Sequence, residues 1–596
     1  MIGSMLQQDS RARSNTTRFL ALFLALSLLA HGLFFPQEWI IFSFALSGYY
    51  LLSCSRRKFN IVAGEATTQG LTDLLFSGMV CFSLLGLAHP VKVQDGLMEA
   101  LRWGIYWLVY RLGVRIASDE PAKKRLIKSV EGLAIIVAFI GWVPWVGNVA
   151  GRLSSVFGYP NATAAFLGAV LLLYPRSKLV QIFLGLSLLG TGSRAGVGLF
   201  LLVFIGRQFL LLISSQRSPS FIELRQRFRV RSKITGRHLR KLWLIFLGIG
   251  IILTRVYSRP AWENLMAWGF SSSSWQERLV YYKDGISLAW NAGGLPQAGG
   301  WLAFPTIQHF PYWTADPHSS FIHILLNQGI LGIIFVGIWS VFTIEQVWKT
   351  WRTNRASSVS PALFFLALHS LVDADFSFGA LGVLFWMLLG SFQPSDKYPR
   401  PFFSKWPKLA VNLSIQRRVL LLLSLILCLV SGSALLNPAF FEKEKSWNAQ
   451  ARLGSEQDPA QSIVLWDLSL NWDQTQITTR REQAEFLLKR GNTDAGLKAV
   501  DEVLRWQPLE LGTYEWAQSV VWDAAEVQRR THPETANRLY LWVESVPGKI
   551  ERRVAILSLS DRVLWPGYRE FQASQHINLL AEYAQQRQLT QPLPRA

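Results

Sequence analysis

Long apolar stretches broken by short polar turns dominate the chain up to residue 436, and they stop abruptly after it. Roughly eighteen or more consecutive, mostly apolar residues are enough to cross a bilayer as a helix. The segments predicted to do so are 18–36, 38–54, 70–88, 97–115, 126–147, 161–175, 178–191, 194–214, 241–257, 319–344, 360–374, 376–391 and 419–436. Val419 to Leu436 is the cleanest of these runs, and Leu20 to Phe35 nearly matches it. The two short segments at 161–175 and 178–191 are joined by the tight turn Pro175-Arg176-Ser177-Lys178. The pattern predicts an all-α protein: a polytopic bundle of about thirteen transmembrane helices, then a soluble helical domain.

From 437 onward the spacing changes character. Ala484, Gly491 and Pro508 stand seven and seventeen residues apart. Those intervals match the small, glycine and proline positions of a tetratricopeptide repeat, with Leu487, Val500 and Val503 as packing positions. A looser copy runs from Ala449 to Trp472, and a third helical pair from Trp516 to Pro547. A generic helical hairpin domain is the alternative; both readings stack helix pairs into a groove.

Composition agrees with a membrane protein. Half of the 596 residues are apolar, only 17% are charged, and the net charge is +21. In a soluble chain that charge would suggest a nucleic-acid partner. Here the bases cluster in short loops between apolar runs, no nucleic-acid motif accompanies them, and no such partner is expected. Placing the N-terminus in the cytoplasm puts Arg56-Arg57-Lys58, Lys123-Lys124-Arg125, Arg176 with Lys178, 215–241, Lys349 to Arg355 and 392–418 inside. The 215–241 loop holds nine Lys or Arg and one acid, Glu223. This alternation satisfies the positive-inside rule. The resulting domains are a cytoplasmic segment 1–17, a membrane bundle 18–392, a basic cytoplasmic loop 393–418, a last span 419–436 and an extracytoplasmic domain 437–596. The first apolar run follows Arg11, Arg13 and Arg18 as in a signal peptide, but no small-residue cleavage site follows it, so a retained span is expected. Cys54, Cys81 and Cys428 all fall in apolar segments and suggest neither a disulfide framework nor a zinc site.

The same count puts the loop 258–318 outside. Long ordered loops are usually functional, and this one is too aromatic for disorder; a structural cap over the bundle is the alternative. Polar motifs gather on that face: Gly158-Tyr159-Pro160-Asn161, Thr191-Gly192-Ser193-Arg194, Glu277-Arg278, Gly299-Gly300-Trp301, Asp316-Pro317-His318, Asn327-Gln328-Gly329, and His369 with Asp373 to Asp375. Arg102 and Arg207 suit snorkelling. Arg194, in a Gly- and Ser-rich turn, and Arg278, in the loop, suit a ligand. Two planar guanidinium forks on one face match the oxygens of a pyrophosphate. His318 adds a group able to accept a proton from an attacking hydroxyl, although a lone His at a helix start is more often structural.

The order and context of these motifs resemble the superfamily of O-antigen ligases and O-antigen polymerases, over roughly residues 18–392. The matching stretches are Pro160-Asn161, Ser193-Arg194, Arg278 with Gly299-Gly300, His318 before a span carrying Asn327-Gln328-Gly329, and His369 with Asp373. Two positions depart from the family's usual pattern: Ser319 stands where Asn commonly follows the histidine, and Gln328 where an acid commonly precedes the later glycine. The resemblance implies a metal-independent, inverting glycosyltransferase of the GT-C class with no cofactor. It would move a glycan from undecaprenyl pyrophosphate to an acceptor hydroxyl of a glycan or protein on the outer face of the cell membrane. Arg194 and Arg278 would hold the departing pyrophosphate and His318 would activate or orient the acceptor. Asn161, Gly299, Gly300, Trp301, His369 and Asp373 would line the substrate site. Trp275, Trp301, Tyr312 and Trp313 suit sugar stacking, and interface anchoring explains such aromatics equally well.

Ligase, polymerase and protein O-oligosaccharyltransferase activities all fit this pattern; the repeat domain leans toward an extended acceptor. A transporter or flippase would show internal repeats and midplane charges, and no clear halves are seen. A scaffold anchored in the membrane would not need so many spans.

Overall fold

The computed structural model describes residues 2–55, 66–175, 177–215, 260, 263–264, 273–353, 359–392 and 413–589. These form an all-α protein, 80% helical, with 23 α-helices. The first eight are α1 (Ile2–Leu29), α2 (Pro36–Ser55), α3 (Ala66–Leu85), α4 (Val93–Ile116), α5 (Glu120–Trp142), α6 (Pro160–Leu172), α7 (Lys178–Gly190) and α8 (Arg194–Ser215). They are followed by α9 (Ser273–Asn291), α10 (Ser320–Asn327), α11 (Gly329–Thr353), α12 (Val359–Ser370), α13 (Gly379–Ser391) and α14 (Leu413–Leu436). Twelve of the thirteen apolar segments coincide with helices, and the one at 241–257 lies outside the described residues, as do Arg56 to Lys58, Arg176, residues 216–241 of the basic loop 215–241, and residues 393–412. The segment 319–344 is two helices, α10 and α11, not one. By length and composition, two stretches among the described residues, Leu71–Ala88 and Ile415–Leu436, can cross a membrane on their own; five others are apolar but shorter.

Local sequence sets the helix starts. Asp119 caps α5 by accepting from Ala122 N–H, with Pro121 in its first turn, and Ser177 caps α7 through Val180 N–H. Helix α4 is the axis of the bundle and packs against α1, α2, α3, α13 and α14. Its contact with α13 depends on missing side chains. A Cβ on Gly390 would lie 2.3 Å from the Tyr110 carbonyl, and one on Gly113 would lie 2.8 Å from the Met387 carbonyl. Such small residues let two backbones approach closely.

A second body follows. Helix pairs α15 (Lys443–Gly454) with α16 (Pro459–Trp472), α17 (Ile477–Lys489) with α18 (Thr493–Trp506), and α19 (Leu511–Gln528) with α20 (Pro533–Glu544) stack in sequence. They are completed by α21 (Val546–Ala555), α22 (Leu559–Leu564) and α23 (Gln575–Leu589). Ala484, Leu488, Val500, Ala517, Val521, Leu539 and Ile577 share one core. Gly491, between α17 and α18, has a φ of +77°.

This body meets the bundle at several places: α18 packs on the turn Gly300–Thr306, α22 on α9, and a strip of chain at residues 90–92 bonds to it directly. Gln474 donates its backbone N–H to the Val91 carbonyl at 2.8 Å and its side-chain amide to the Pro90 carbonyl at 2.6 Å. Lys92 Nζ lies 3.5 Å from Asp473. On the strip's other side, the Val91 and Lys92 N–H groups both donate to the Ala298 carbonyl, at 2.9 and 3.0 Å.

Because the stacked helices carry a core of their own, residues 440–596 made alone should be a soluble helical protein. A Cβ at Gly491 would meet only Gln528, at 4.0 Å, so Gly491→Ala there tests backbone conformation and not a clash. It should lower stability by about 1–2 kcal/mol, with Gly491→Asn costing less. Urea melts followed by circular dichroism decide it; a fragment with no cooperative transition would mean that docking holds the domain together.

Candidate active site

Tyr159 and Pro160 open α6 at the same end of the bundle as the turn between α12 and α13, and the two meet at Asp373. That carboxylate is fully buried. Tyr159 donates its hydroxyl to Asp373 Oδ1 at 2.8 Å, and Ala374 its N–H to the same atom at 2.9 Å. Asn161 donates its amide to Asp373 Oδ2 at 2.6 Å and to the Tyr159 hydroxyl at 2.9 Å. Arg278, from α9, reaches in from the other side. Its Nη2 donates to Asp373 Oδ2 at 2.8 Å and its Nη1 to the Val372 carbonyl at 2.7 Å. A buried carboxylate with this many donors is stabilised in its charged form. Burial works against the charge on Arg278, but the Asp373 carboxylate outweighs it and holds the guanidinium pKa above its usual value. Burial, then the Asp373 charge, pushes the Tyr159 hydroxyl well up, so it stays a donor.

A third arginine, which the motif order did not single out, belongs to the same group. Residues Asn148–Val149 and Arg152–Leu153 form a small antiparallel hairpin. From it Arg152 donates Nε to the Thr191 carbonyl at 2.9 Å and Nη2 to Asn161 Oδ1 at 3.1 Å. Burial pulls its pKa below the usual value; the charges of Arg194 and Arg278 push the same way, against Tyr159 and Asp373. Arg194 and Arg278 are thus both near enough for their charges to bear on Arg152. Arg194 is the first residue of α8; its Nη2 donates to the Ser274 hydroxyl at 2.5 Å at the exposed side of the group. Arg152 was legible only as a base near a predicted span boundary. Its place beside Asn161 comes from the hairpin.

His318 enters from the loop before α10. Its Nδ1 lies 3.5 Å from Asp373 Oδ1, within ion-pair reach but without hydrogen-bond geometry, and its Nε2 lies 3.3 Å from Thr314 Oγ1. Its φ is +53°, and its backbone N–H donates to Asp316 Oδ1 at 2.8 Å. The rings of Tyr159 and Tyr281 flank it, centred 6.4 and 5.8 Å away. Asp373 thus brings His318, Arg278 and Asn161 into direct contact with one carboxylate.

The remaining candidates stand further back. His369 is buried on the last turn of α12, where its Nδ1 meets Asp375 Oδ2 at 2.7 Å. Gly299 and Gly300 pack on the Lys92–Asp95 turn and on Leu326. Trp301 is buried, gives its indole N–H to the Thr314 carbonyl at 2.9 Å, and packs with Tyr281, Phe304 and Tyr312 as a wall behind His318. Trp313, by contrast, is 82% exposed. Beside the site lies a cavity of about 1000 Å³. Leu202, Val203, Ile333, Trp339 and Phe364 line it along its apolar wall, and Asp316, His323 and Ser377 are among its polar lining residues. No group of three or more His, Cys, Asp or Glu among the described residues is placed to hold a metal ion. No family model matches the chain, and no curated protein is similar to it in sequence.

Removing the hub should be costly. Asp373→Ala strands Arg278 without its carboxylate, and breaking a buried pair from one side typically costs about 3–5 kcal/mol. Asp373→Asn keeps an acceptor for Tyr159 and should cost less. Thermal unfolding in detergent measures both; equal stability of wild type and Asp373→Ala would show that the pair holds nothing in place.

Proposed function

We propose that the protein is a membrane glycosyltransferase of the O-antigen ligase type. It moves a glycan from undecaprenyl pyrophosphate to an acceptor hydroxyl at the outer face of the cell membrane. The observation that carries this reading is that Arg278 and Arg152 are fixed against Asp373 and Asn161 beside His318, with Arg194 near enough for its charge to bear on Arg152. Three guanidiniums against one carboxylate leave an excess of positive charge, and planar forks suit the oxygens of a pyrophosphate. The apolar cavity beside the site, with about 1000 Å³ of room, fits part of a prenyl chain.

In the proposed reaction the acceptor oxygen attacks the anomeric carbon from the face opposite the pyrophosphate. The bond from that carbon to the pyrophosphate oxygen breaks with inversion. The charge that grows on the leaving group is met by arginines already fixed in place, so little reorganisation is needed. Arg278 is held by Asp373 and Val372, and Arg152 by Thr191 and Asn161. The hydroxyl proton passes to the imidazole of His318, whose ring lies 3.5 Å from the Asp373 carboxylate. In this reading the thirteen apolar segments are the membrane spans, the N-terminus is cytoplasmic and the stacked helices lie outside. The alternating loop charge supports that orientation.

Two measurements test it. Single cysteines placed at Trp313, which is exposed beside the site, and at Lys124, exposed near the start of α5, should differ in a background free of native cysteine. An impermeant thiol reagent should label Trp313→Cys in intact cells and Lys124→Cys only after lysis. The reverse pattern would put the arginines on the wrong face for this donor. Lys keeps charge but loses the planar fork. Arg278→Lys and Arg152→Lys should therefore each slow release of undecaprenyl pyrophosphate by about 100- to 1000-fold, the usual cost of one electrostatic stabiliser. Near-normal release from both variants would remove the arginines from the reaction.

A further inference from the structure

A second histidine lies five residues beyond His318, on α10, and the reaction outlined above makes no use of it. His323 stands between two carboxylates. Its Nε2 is 3.2 Å from Glu99 Oε2, and its Nδ1 is 3.5 Å from Asp316 Oδ2. A neutral imidazole has one N–H donor; facing an acid with each nitrogen, the ring is satisfied only when both carry protons. Both acids are themselves held. Glu99 accepts from Trp103 Nε1 at 2.9 Å and from Gln328 Nε2 at 3.1 Å, with Arg102 Nη1 at 3.4 Å. Gln328 in turn donates to Ser83 at 2.9 Å. Asp316 also accepts from the Ser377 hydroxyl.

The other oxygen of Asp316 is the one that receives the His318 N–H. It holds His318 in the left-handed region, which residues with a Cβ rarely adopt and which persists only where the surroundings enforce it. A continuous chain of contacts thus runs from Glu99 on α4, through His323 and Asp316, to the backbone of His318. Glu99, His323 and Asp316 also reach the cavity wall. Gln328, which stands where a carboxylate was expected, supplies a donor to Glu99; an acid there would repel it.

We infer that His323 is a positioning residue for the proposed transfer: as an imidazolium clamped between Glu99 and Asp316, it fixes the Asp316 carboxylate and thereby the strained turn that aims His318 at the acceptor. The inference rests on the transferase reading. It differs from a general packing role because the arginine group is anchored separately, through Asp373, Val372, Thr191 and Asn161. Loosening His323 displaces the acceptor side and leaves the pyrophosphate side in place.

The test compares wild type with His323→Gln, Glu99→Gln and His323→Lys in proteoliposomes. An undecaprenyl pyrophosphate-linked glycan serves as donor and native outer-envelope extract as acceptor. Release of undecaprenyl pyrophosphate gives kcat and the donor KM, and calorimetry gives the binding of inorganic pyrophosphate. A misplacement of ~1 Å can cost about 100-fold. His323→Gln and Glu99→Gln should therefore lower kcat by tenfold or more on that scale, with donor KM and pyrophosphate affinity within about twofold of wild type. His323→Lys, which keeps a cation between the two acids, should recover part of the loss. An unchanged kcat in His323→Gln overturns the inference, and so does a parallel loss of kcat and pyrophosphate binding, which is what a merely structural residue gives. Wild-type protein that releases no undecaprenyl pyrophosphate would sink the transferase reading itself, and the positioning role with it.

Discussion

A single ionised carboxylate buried where three remote parts of the chain meet is the constraint on which the site depends. Asp373 has no contact with solvent, and a charge taken out of water is tolerated only when donors replace the lost hydration. Those donors come from Tyr159 and Asn161 at the start of α6, from Arg278 on α9 and from the adjoining backbone at Ala374. Because all are needed, the entry of α6, the turn between α12 and α13, and the outer loop have one compatible arrangement. The geometry is thereby set before any ligand arrives, which is what electrostatic stabilisation of a developing charge requires.

His318 is held from two directions by two acids doing different things. Asp373 faces its ring, with Oδ1 3.5 Å from Nδ1; Asp316 takes its backbone N–H, where it enforces a left-handed turn. The acids belong to separate networks, one rich in arginine and one centred on His323. In the proposed reaction this separation divides the work between holding a leaving anion and aiming an attacking hydroxyl.

Behind the histidine, Tyr281, Trp301, Phe304 and Tyr312 form a compact aromatic wall. That wall is backed by the loop at Gln297–Gly300, which bonds to the strip at residues 90–92, which bonds in turn to Gln474. The stacked helices are thus joined to this end of the bundle through backbone hydrogen bonds as well as through the Lys92–Asp473 ion pair.

Apolar run length and the change of spacing after residue 436 were sufficient to find nearly every helix of the bundle and the helix pairs beyond it, because both signals are local and repeat along the chain. Arg194, Arg278, His318, Asn161 and Asp373 were legible as polar residues in turns on one predicted face. The sequence did not reveal that Asp373 joins three of them, because hydrogen-bond partners some 95 to 214 residues apart leave no periodic trace. Nor did it reveal Arg152, Glu99 or His323, each of which reads alone as an ordinary boundary charge or a residue on a helix face. The segment 319–344 reads as one span but breaks at Gln328, where the amide is drawn to Glu99 on another helix. The sequence by itself determined which stretches are helical and which end of the bundle is polar. Only the tertiary structure decided which charges share a buried space, because that depends on which helices pack together, and only burial turns a scattered set of polar residues into a mutually obligatory one.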